Sequence, residues 1–421
     1  MRSECSPKGR VGGRVGKEIA QRLRLHRMAL SYQTAGESHG PGLVTTVVGL
    51  PAGLPIDEGF INSELERRQG GYGRGGRQTI ETDRIEFLTG VRRGYSIGAP
   101  VTMLIRNKDS RLDDLVRTPP VHRPRPGHAD LAGSIKYLTT DCRETLERAS
   151  ARETAARVAA GAVARCMLRE LGIEAFGFVR SVLDQATAVK VESEHWKELA
   201  RRRDASETYC PDEEATARQK AVIHAAKLNK DTVGGLVETH IMGCPPGLGS
   251  CMDWRDKLDA RIAYAVMGIQ AIKSVEIGLG RDVALLPGSR VHDAIHYDES
   301  RRNSHADMGF SRGSNNAGGI EGGMTNGQAI VVRAAMKPIA TLGQGMPSVD
   351  LNSKQPERSS YERSDICAVP AASVVVENVV AFEVARVFRE KFAGDSFTEL
   401  KAQFAAFMRL ARMLPLESTD R

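Results

Sequence analysis

The segment ERASARETAARVAAGAVARCMLREL, from Glu147 to Leu171, is the stretch that decides the fold. Alanine has the highest helix propensity, and the segment contains no proline and only one glycine, Gly161. This composition predicts a helix from Glu144 to Leu171. We expect its closest packing at Gly161, where no side chain keeps a neighbouring backbone away.

Strands and helices are predicted on both sides of this helix. The β-branched, alternating stretch from Ser31 to Leu50 predicts a strand approached through a glycine-rich turn, and Ile56 to Arg68 predicts a helix with Asp57 as its N-cap. Further strands are predicted at 85–88, at 100–105 and after a glycine turn at 320–335, and further helices at 192–229, 257–271, 370–388 and 397–413. Because their order has no steady βαβ rhythm, we predict an α+β fold.

Length and composition predict a globular protein. The 421 residues suffice for one large domain or two ordinary ones, and 41% hydrophobic and 26% charged residues are typical of a folded chain. No apolar run approaches the roughly 18 residues that span a bilayer, which excludes an integral membrane protein. The seven cysteines are scattered and never form a Cys-x-x-Cys pair, so neither a disulfide framework nor a zinc site is indicated. We therefore expect a cytoplasmic protein.

The net charge of +7 is concentrated in residues 1–28, which hold eight basic and two acidic side chains. About +1 therefore remains for the other 393 residues, so the body of the protein is nearly neutral. The tail lacks the apolar core of a secretory signal. A transit-type or RNA-contacting segment is one interpretation. We favour a disordered basic extension, or translation that truly begins at Met28.

The motifs of two common nucleotide-binding folds are weak or missing. The stretch GYGRGG at residues 71–76 satisfies G-x-G-x-x-G, but it follows a helical segment rather than a strand, and no hydrophobic helix follows it. The sequence contains no P-loop, since no glycine pair precedes Lys-Ser or Lys-Thr at the required spacing. A Rossmann dehydrogenase and a P-loop kinase are therefore disfavoured.

A histidine flanked by glycines is the first candidate catalytic group. It is His39, in the motif GESHG at residues 36–40. The glycines allow the backbone to approach a ligand closely, and imidazole titrates near neutrality, which suits proton donation. For one histidine taken alone, a place in a surface loop is the stronger interpretation.

A second candidate lies in a long polar loop predicted at 107–130, since loops of this length are often functional. Its motif RPRPGHAD, residues 123–130, contains Arg125 and His128. The prolines stiffen the chain, so the guanidinium groups are placed for a planar, polyvalent anion such as a carboxylate or phosphate. A charged, solvated loop would explain the arginines but not the alternating prolines.

Arginines near the start of the long helix form a third candidate. Arg148 and Arg152 are four residues apart and are predicted to share a helix face, and the positive end of the helix dipole also favours an anion there. The alternative is that these arginines bridge in solvent to Glu144 or Glu153.

Three segments towards the C-terminus add further candidate groups. Residues 318–327, GGIEGGMTNG, are so rich in glycine that we expect backbone laid against a flat ligand or its phosphate. Residues 337–341, KPIAT, follow a predicted strand and supply a cation. An Arg-Ser-Asp run supplies Arg363 as an anion clamp and Asp365 as a carboxylate that takes a proton. Together, the motifs predict an enzyme that acts on a small phosphorylated anion.

Taken in order along the chain, these motifs closely resemble the chorismate synthase family. The resemblance rests on three long regions, 36–51, 147–164 and 363–379, and runs from about Ser31 to the C-terminal helix. It implies a layered β-α-β sandwich in a single catalytic domain at 29–421, and a homotetramer. It also implies the family's reaction, in which 5-enolpyruvylshikimate-3-phosphate loses phosphate and a C6 proton to give chorismate, with reduced FMN as cofactor.

The resemblance further implies individual roles. His39 would protonate the departing phosphate, His128 would protonate or stabilise the reduced flavin near N1, and Asp365 would handle the proton at N5. The implied flavin contacts are Arg148, Ala149, Ser150, Gln270, Ala271, Gly323, Lys337, Pro338, Ile339, Ala340, Thr341 and Arg363. The implied contacts to substrate or nicotinamide nucleotide are Arg68, Arg74, Arg125 and Arg152.

Two questions stay open at this point. The sequence does not decide whether NADPH reduces the flavin on this protein or an external reductase is required. The basic tail, Asn229-Lys230 and the charged stretch 192–220 depart from the family pattern but contain no proposed catalytic position. An RNA-binding protein is the rival hypothesis, but the neutral body and the low aromatic content of 5% argue against it, so we expect neither a nucleic-acid nor a membrane partner.

Overall fold

The computed structural model describes residues 30–75, 81–192, 195–362 and 364–416. The predicted basic extension at 1–28 lies outside the described residues, as does Arg363. The strands are Ser31–Ala35 (β1), Gly42–Val48 (β2), Ile85–Thr89 (β3), Val91–Arg92 (β4), Tyr95–Ser96 (β5), Val101–Arg106 (β6), Glu174–Val182 (β7), Gln185–Ala186 (β8), Gly235–Met242 (β9), Ile272–Ile277 (β10), Ile295–Tyr297 (β11), Phe310–Arg312 (β12), Ile320–Glu321 (β13), Met324–Thr325 (β14), Ile330–Met336 (β15), Pro347–Val349 (β16) and Pro356–Arg358 (β17).

Helices account for most of the remaining regular structure. The α-helices are Glu58–Gln69 (α1), Asp130–Tyr137 (α2), Arg143–Arg148 (α3), Thr154–Glu170 (α4), Trp196–Ala205 (α5), Glu213–Leu228 (α6), Leu258–Met267 (α7), Gly288–Val291 (α8), Val369–Lys391 (α9) and Phe397–Arg412 (α10). Short 3-10 turns occur at Ala151–Glu153, Trp254–Asp256, Gly280–Leu285 and Glu299–Arg301. The N-cap predicted for α1 is confirmed, because the Asp57 side chain accepts a hydrogen bond from the backbone N–H of Phe60.

Two antiparallel sheets form the outer layers. The first has the order β1-β2-β6-β3, and the second has the order β10-β15-β9-β7-β8. In β2 the residues alternate between the buried face, which includes Leu43, Thr45 and Val47, and the outer face. This is the period-2 alternation expected of a strand with one face on the core. The β1–β2 hairpin leaves residues 36–41 as a tight loop at one end of the first sheet.

Helices α4 and α9 fill the space between the sheets. Helix α4 packs against the first sheet, α9 packs against the second, and the two helices contact each other. They approach most closely at Gly161, where a Cβ atom would lie 2.4 Å from the carbonyl oxygen of Asn378. The predicted close packing at Gly161 and the layered β-α-β architecture are thus confirmed.

The prediction of one continuous helix from Glu144 to Leu171 is wrong, because the chain leaves the helical conformation at Ser150. The chain is helical in α3, becomes extended at Ser150 with φ −62° and ψ 142°, and resumes through a 3-10 turn into α4. The Ser150 hydroxyl accepts a hydrogen bond from the N–H of Arg152, so this serine caps a new helical segment rather than continuing the old one. Arg148 and Arg152 therefore do not share a helix face.

We expect Gly161→Ala to lower stability by about 1–3 kcal/mol, because the added methyl group overpacks the contact with Asn378. Thermal unfolding of the purified variant measures this. The matched control is Gly59→Ala in the exposed first turn of α1, where the new Cβ would lie 3.3 Å from the Asp57 carboxylate. That change should stay within about 1 kcal/mol. Equal effects at the two positions would show that the α4–α9 contact adjusts without cost.

No helix among the described residues is both long enough and apolar enough to span a membrane.

Candidate active site

His39 lies in the loop between β1 and β2, held against Glu147 of α3. Its backbone N–H donates to Glu147 Oε2 at 2.8 Å, and its Nδ1 lies 2.9 and 3.0 Å from the two carboxylate oxygens. The Nδ2 group of Asn107 donates to the carbonyl oxygens of Ser38 and Gly40. The histidine is 7% exposed. It is therefore a fixed, buried group and not the free surface-loop histidine considered as an alternative.

The second nitrogen of His39 faces an ion pair. Nε2 lies 3.3 Å from Nη2 of Arg111 and 3.8 Å from a carboxylate oxygen of Asp109. Nε of Arg111 and the other carboxylate oxygen of Asp109 are 3.1 Å apart. The His39 carbonyl accepts hydrogen bonds from the N–H groups of Arg111 and Leu112, which ties the long loop to the histidine. A guanidinium group thus stands beside the nitrogen that faces away from Glu147.

His128 is paired with a second buried carboxylate. Its Nδ1 contacts Asp130, and Arg125 donates to the same carboxylate from Nε at 2.8 Å and from Nη2 at 3.1 Å. Burial alone would raise the pKa of Asp130, but hydrogen bonds from His128 and Arg125 hold it well below its ordinary value. The guanidinium of Arg125, predicted to face an anion, is thus largely engaged by Asp130 and by Thr341 Oγ1 at 3.0 Å.

The segment at 337–341 lies against the loop that carries His128. Lys337 Nζ donates to the carbonyl oxygen of Gly127 at 2.7 Å, and Ser364 Oγ donates to the carbonyl oxygen of Thr341. Burial and the nearby cations Lys273 and Arg125 lower the pKa of Lys337. Positive charge is therefore concentrated beside the histidine.

Arg148 and Gln270 are joined through one buried carboxylate. Arg148 donates to the carbonyl oxygens of Thr34 and Gly36. Glu153 accepts hydrogen bonds from Thr34 Oγ1 at 2.5 Å and from Gln270 Nε2 at 3.0 Å. The Oε1 atom of Gln270 is buried and has no hydrogen-bond partner within the described part of the chain. It is thus available to a donor from a ligand.

Ala271 and Ser150 connect these groups to the two histidine loops. Ala271 has a φ of 67° and accepts a hydrogen bond from the N–H of Lys337 through its carbonyl oxygen. Ser150 Oγ lies 3.1 Å from Ser38 Oγ, next to His39.

Arg68 and Arg152 converge on Asp83. Arg68 Nη1 lies 3.3 Å from one carboxylate oxygen, and Arg152 Nη1 lies 2.5 Å from the other. Arg152 also donates to Asn107, which supports the His39 loop. Burial lowers the pKa of Arg68 to about 10, with a further contribution from the neighbouring Arg152 and Arg74 cations. The Nη2 atom of Arg152 is buried and has no hydrogen-bond partner among the residues described.

Asp365 forms an ion pair with Arg74. One carboxylate oxygen accepts from Arg74 Nη1 at 2.6 Å, and the other accepts from the N–H of Gly75 at 2.7 Å. The N–H of Ile366 donates to the carbonyl oxygen of Gly73, which fixes the glycine-rich loop against this segment. The family resemblance implied a flavin role for Asp365 and a substrate or nicotinamide-nucleotide role for Arg74. In the structure the charges of these two residues neutralise each other.

Gly323 lies in a different environment from the other predicted cofactor residues. It forms the turn between β13 and β14, and its carbonyl oxygen accepts from the N–H of Leu258. A Cβ at this position would lie 2.7 Å from the Lys257 side chain, and one at Gly318 would lie 2.3 Å from the N atom of Gly278. Tight packing within the protein therefore accounts for glycines that the sequence suggested for a ligand.

Many of the other predicted site residues are connected by contacts made by them or by their chain neighbours. From the His39 loop, contacts lead through Ser38 to Ser150 and through Asn107 to Arg152. Ala271, next to Gln270, contacts Lys337, and Lys337 contacts Gly127, next to His128. Hydrogen bonds thus join the loop of His128 to segments more than 200 residues away.

The sequence model of the chorismate synthase family matches residues 30–388. The chain belongs to the chorismate synthase family. Chorismate synthase of Desulforamulus reducens is 51% identical over 394 residues, which cover 91% of this chain and 100% of the relative. That of Geobacter sulfurreducens is 52% identical over 396 residues, covering 91% and 99%. A chorismate synthase crystal structure superposes with a TM-score of 0.74 at 39% identity, covering 91% of this chain and 98% of that one.

Several polar residues of the candidate site were not singled out from the sequence. They are Asp83, Asn107, Asp109, Arg111, Asp130 and Glu147. Asp130 is the last residue of one quoted motif and Glu147 the first of another, and that position is the signal that would have identified them. Asp83 and Asn107 carry no comparable signal, because their role depends on contacts with residues far away in the sequence.

Proposed function

We propose that this protein converts 5-enolpyruvylshikimate-3-phosphate to chorismate in the region around His39 and His128, with reduced FMN as cofactor. Chorismate synthases are carbon–oxygen lyases that act on a phosphate ester, and the activity follows from membership of the family. The observation that carries the assignment of the site is that each histidine has a carboxylate at Nδ1 and an arginine beside its ring, Arg111 at 3.3 Å from His39 and Arg125 at 3.0 Å from His128.

The arginines supply charge for a substrate with one phosphate and two carboxylates. Arg68, Arg74, Arg125 and Arg152 all contact carboxylates of the protein, so their charges are balanced in part. Nη2 of Arg152 makes no hydrogen bond within the described residues and lies 3.9 Å from a Glu81 carboxylate oxygen, so a bound anion would supply the acceptor that this buried donor lacks at hydrogen-bond distance. Preorganised guanidinium groups would also stabilise the charge that develops on the leaving phosphate.

His39 would deliver a proton from Nε2 to a phosphate oxygen as the carbon–oxygen bond breaks. Its opposite nitrogen is held by Glu147, so Nε2 is the atom that can face a ligand. Arg111 lies beside Nε2 and would bind the same phosphate, so the proton donor and the cation act on one group.

The residues that would hold reduced FMN fit such a cofactor. Lys337, Lys273 and Arg125 provide the concentrated positive charge that a phosphate group requires, and the buried Oε1 of Gln270 lacks a partner in the described chain. We assign the cofactor contacts to Arg148, Ala149, Ser150, Gln270, Ala271 and Lys337 to Thr341, with Gly323 and Arg363 assigned from the family resemblance alone. When bound, reduced flavin supplies electron density that assists the loss of phosphate.

Two further groups would hold protons near that cofactor. His128 is oriented by Asp130 and Arg125 and would keep a proton facing the flavin. Asp365, held between Arg74 and the N–H of Gly75, would accept a proton at its carboxylate. Both roles require the flavin to approach His128 and Asp365 from a side on which these residues make no contact with the protein.

We also propose that the protein is cytoplasmic, that it forms a homotetramer and that NADPH is a possible source of electrons for the flavin. The homotetramer is assigned from the family resemblance, and several large apolar side chains are exposed and would be available to an interface. The most exposed are Leu138, Val116, Met252 and Tyr264, at 93%, 91%, 90% and 85%. Light scattering on the purified protein would decide its oligomeric state.

Anaerobic incubation with dithionite-reduced FMN and substrate is expected to produce chorismate, followed by its absorbance. Oxidised FMN without reductant is the control and should give no product. A folded protein that forms no chorismate with reduced flavin would refute the proposed function. Repeating the assay in air with NADPH and FMN distinguishes a protein that reduces its own flavin from one that needs an external reductase.

A further inference from the structure

Glu147 is the carboxylate most closely engaged with His39. Its side chain has 0% exposure, and it receives hydrogen bonds from the backbone N–H of His39 and from Nδ1 of the ring. In addition, the N–H of Ser38 donates to the Glu147 carbonyl oxygen at 3.2 Å. Glu147 thus holds both the main chain at Ser38 and His39 and the imidazole ring of His39.

These contacts determine which ring nitrogen can react. A carboxylate accepts hydrogen bonds and cannot donate them, so Nδ1 of His39 must carry a hydrogen. The neutral ring then has its lone pair on Nε2, and the protonated ring presents an N–H there. Arg111, which can only donate, faces Nε2 at 3.3 Å and favours the same tautomer.

The charges around Glu147 favour the ionised form of its carboxylate, which accepts the hydrogen bond from Nδ1 of His39. Burial would raise the pKa of Glu147, but the hydrogen bonds and charge of His39, together with Arg143, lower it. Arg143 lies 3.4 Å from Glu147 and is itself held by Glu362 at 3.2 Å and by the Pro119 carbonyl. A negative charge thus persists beside Nδ1 and stabilises a positively charged imidazole ring.

We propose that Glu147 is the positioning residue for His39, fixing the hydrogen on Nδ1 and supporting the protonated ring so that Nε2 delivers the proton. This rests on the proposed function, because it assigns a proton-donating role to His39. Glu147 itself would touch neither substrate nor flavin, since its carboxylate is fully buried behind the histidine. The charged groups that face the imidazole are Glu147 on one side and Arg111 with Asp109 on the other.

The kinetic test is Glu147→Gln in the full-length protein with reduced FMN. We expect kcat to fall at least about 10- to 100-fold, the range found for carboxylates that orient metal-bound histidines, while KM changes little. Loss of the negative charge should move the alkaline decline of kcat/KM to lower pH by about one pH unit. Glu147→Asp, which keeps the charge, should restore part of the rate and the original pH profile.

The matched control is Glu144→Gln, which removes an exposed carboxylate from the same helix and should leave kcat and the pH profile unchanged. Unchanged kcat and pH profile in Glu147→Gln would overturn the proposal. A loss of thermal stability or flavin affinity that fully accounts for the lower rate in both Gln and Asp variants would also overturn it, since the role would then be structural.

A spectroscopic test does not depend on turnover. With 15N-histidine-labelled protein, the ring nitrogens of His39 are identified by their absence from the His39→Gln spectrum. We expect the neutral ring to show the hydrogen on Nδ1 in the original protein and a mixture of tautomers in Glu147→Gln. A hydrogen on Nε2 in the neutral ring of the original protein would contradict the inference, whether or not the protein forms chorismate.

Discussion

Replacing His39 with alanine is expected to slow chorismate formation by roughly one to three orders of magnitude, the range typical of a lost general acid. The departing phosphate would have to take its proton from water, while the arginines would remain in place. The rate at saturating substrate and reduced flavin measures the effect. Because the change also leaves Glu147 without its ring partner, part of the loss could arise from a disturbed loop.

Two further variants separate these causes. His39→Gln keeps a donor for Glu147 but cannot titrate, so it should be nearly as slow as His39→Ala. His195→Ala removes an exposed histidine at the start of α5, with 71% of its side chain accessible, and should retain full activity. Full activity in His39→Ala would remove this residue from the mechanism.

Asp365→Asn is expected to reduce turnover about 100-fold while FMN affinity is maintained, because the amide preserves the shape but cannot accept the proton. Fluorescence titration of FMN and single-turnover measurements of chorismate formation report the two properties separately. The exchange also leaves Arg74 without its 2.6 Å carboxylate partner, so added positive charge should tighten rather than weaken binding of an anionic substrate.

A loss of FMN affinity in Asp365→Asn would contradict this expectation and would make Asp365 a structural support for the loop at 73–75. Glu357→Gln provides the control, because it removes a half-exposed carboxylate paired with Arg123 on the surface. That exchange should alter neither flavin binding nor turnover, since exposed ion pairs contribute little.

Several individual elements of the fold were predictable because they carry local signals, whereas the layered architecture was expected only from the family resemblance. The alternating residues of β2, the Asp57 cap of α1 and the alanine-rich α4 are each visible in a short window of sequence. The interruption at Ser150 was missed because serine is tolerated within helices, although its cap on the N–H of Arg152 is a local contact. The second contact of its hydroxyl group, with Ser38, joins segments more than 100 residues apart and has no local signal.

The candidate site was predictable as a set of motifs but not as a set of contacts. The sequence motifs place His39 and His128 in the candidate site, which stays a prediction, and they present Arg125 and Arg152 as free anion ligands. In the folded protein each of these arginines also contacts a buried carboxylate, Asp130 or Asp83. Such pairing arises only when distant segments meet, so no spacing rule in the sequence predicts it.

The extended residue at Ser150 has a consequence for how this sequence can change over evolutionary time. Between Glu147 and Arg152 the chain supplies groups to the histidine loop, to the predicted cofactor contacts and to Asp83. One residue added to a helix turns everything after it by about 100°, so a single insertion or deletion here would misdirect at least one of these groups. This segment therefore acts as a spacer of fixed length, which tolerates neither the gain nor the loss of a residue.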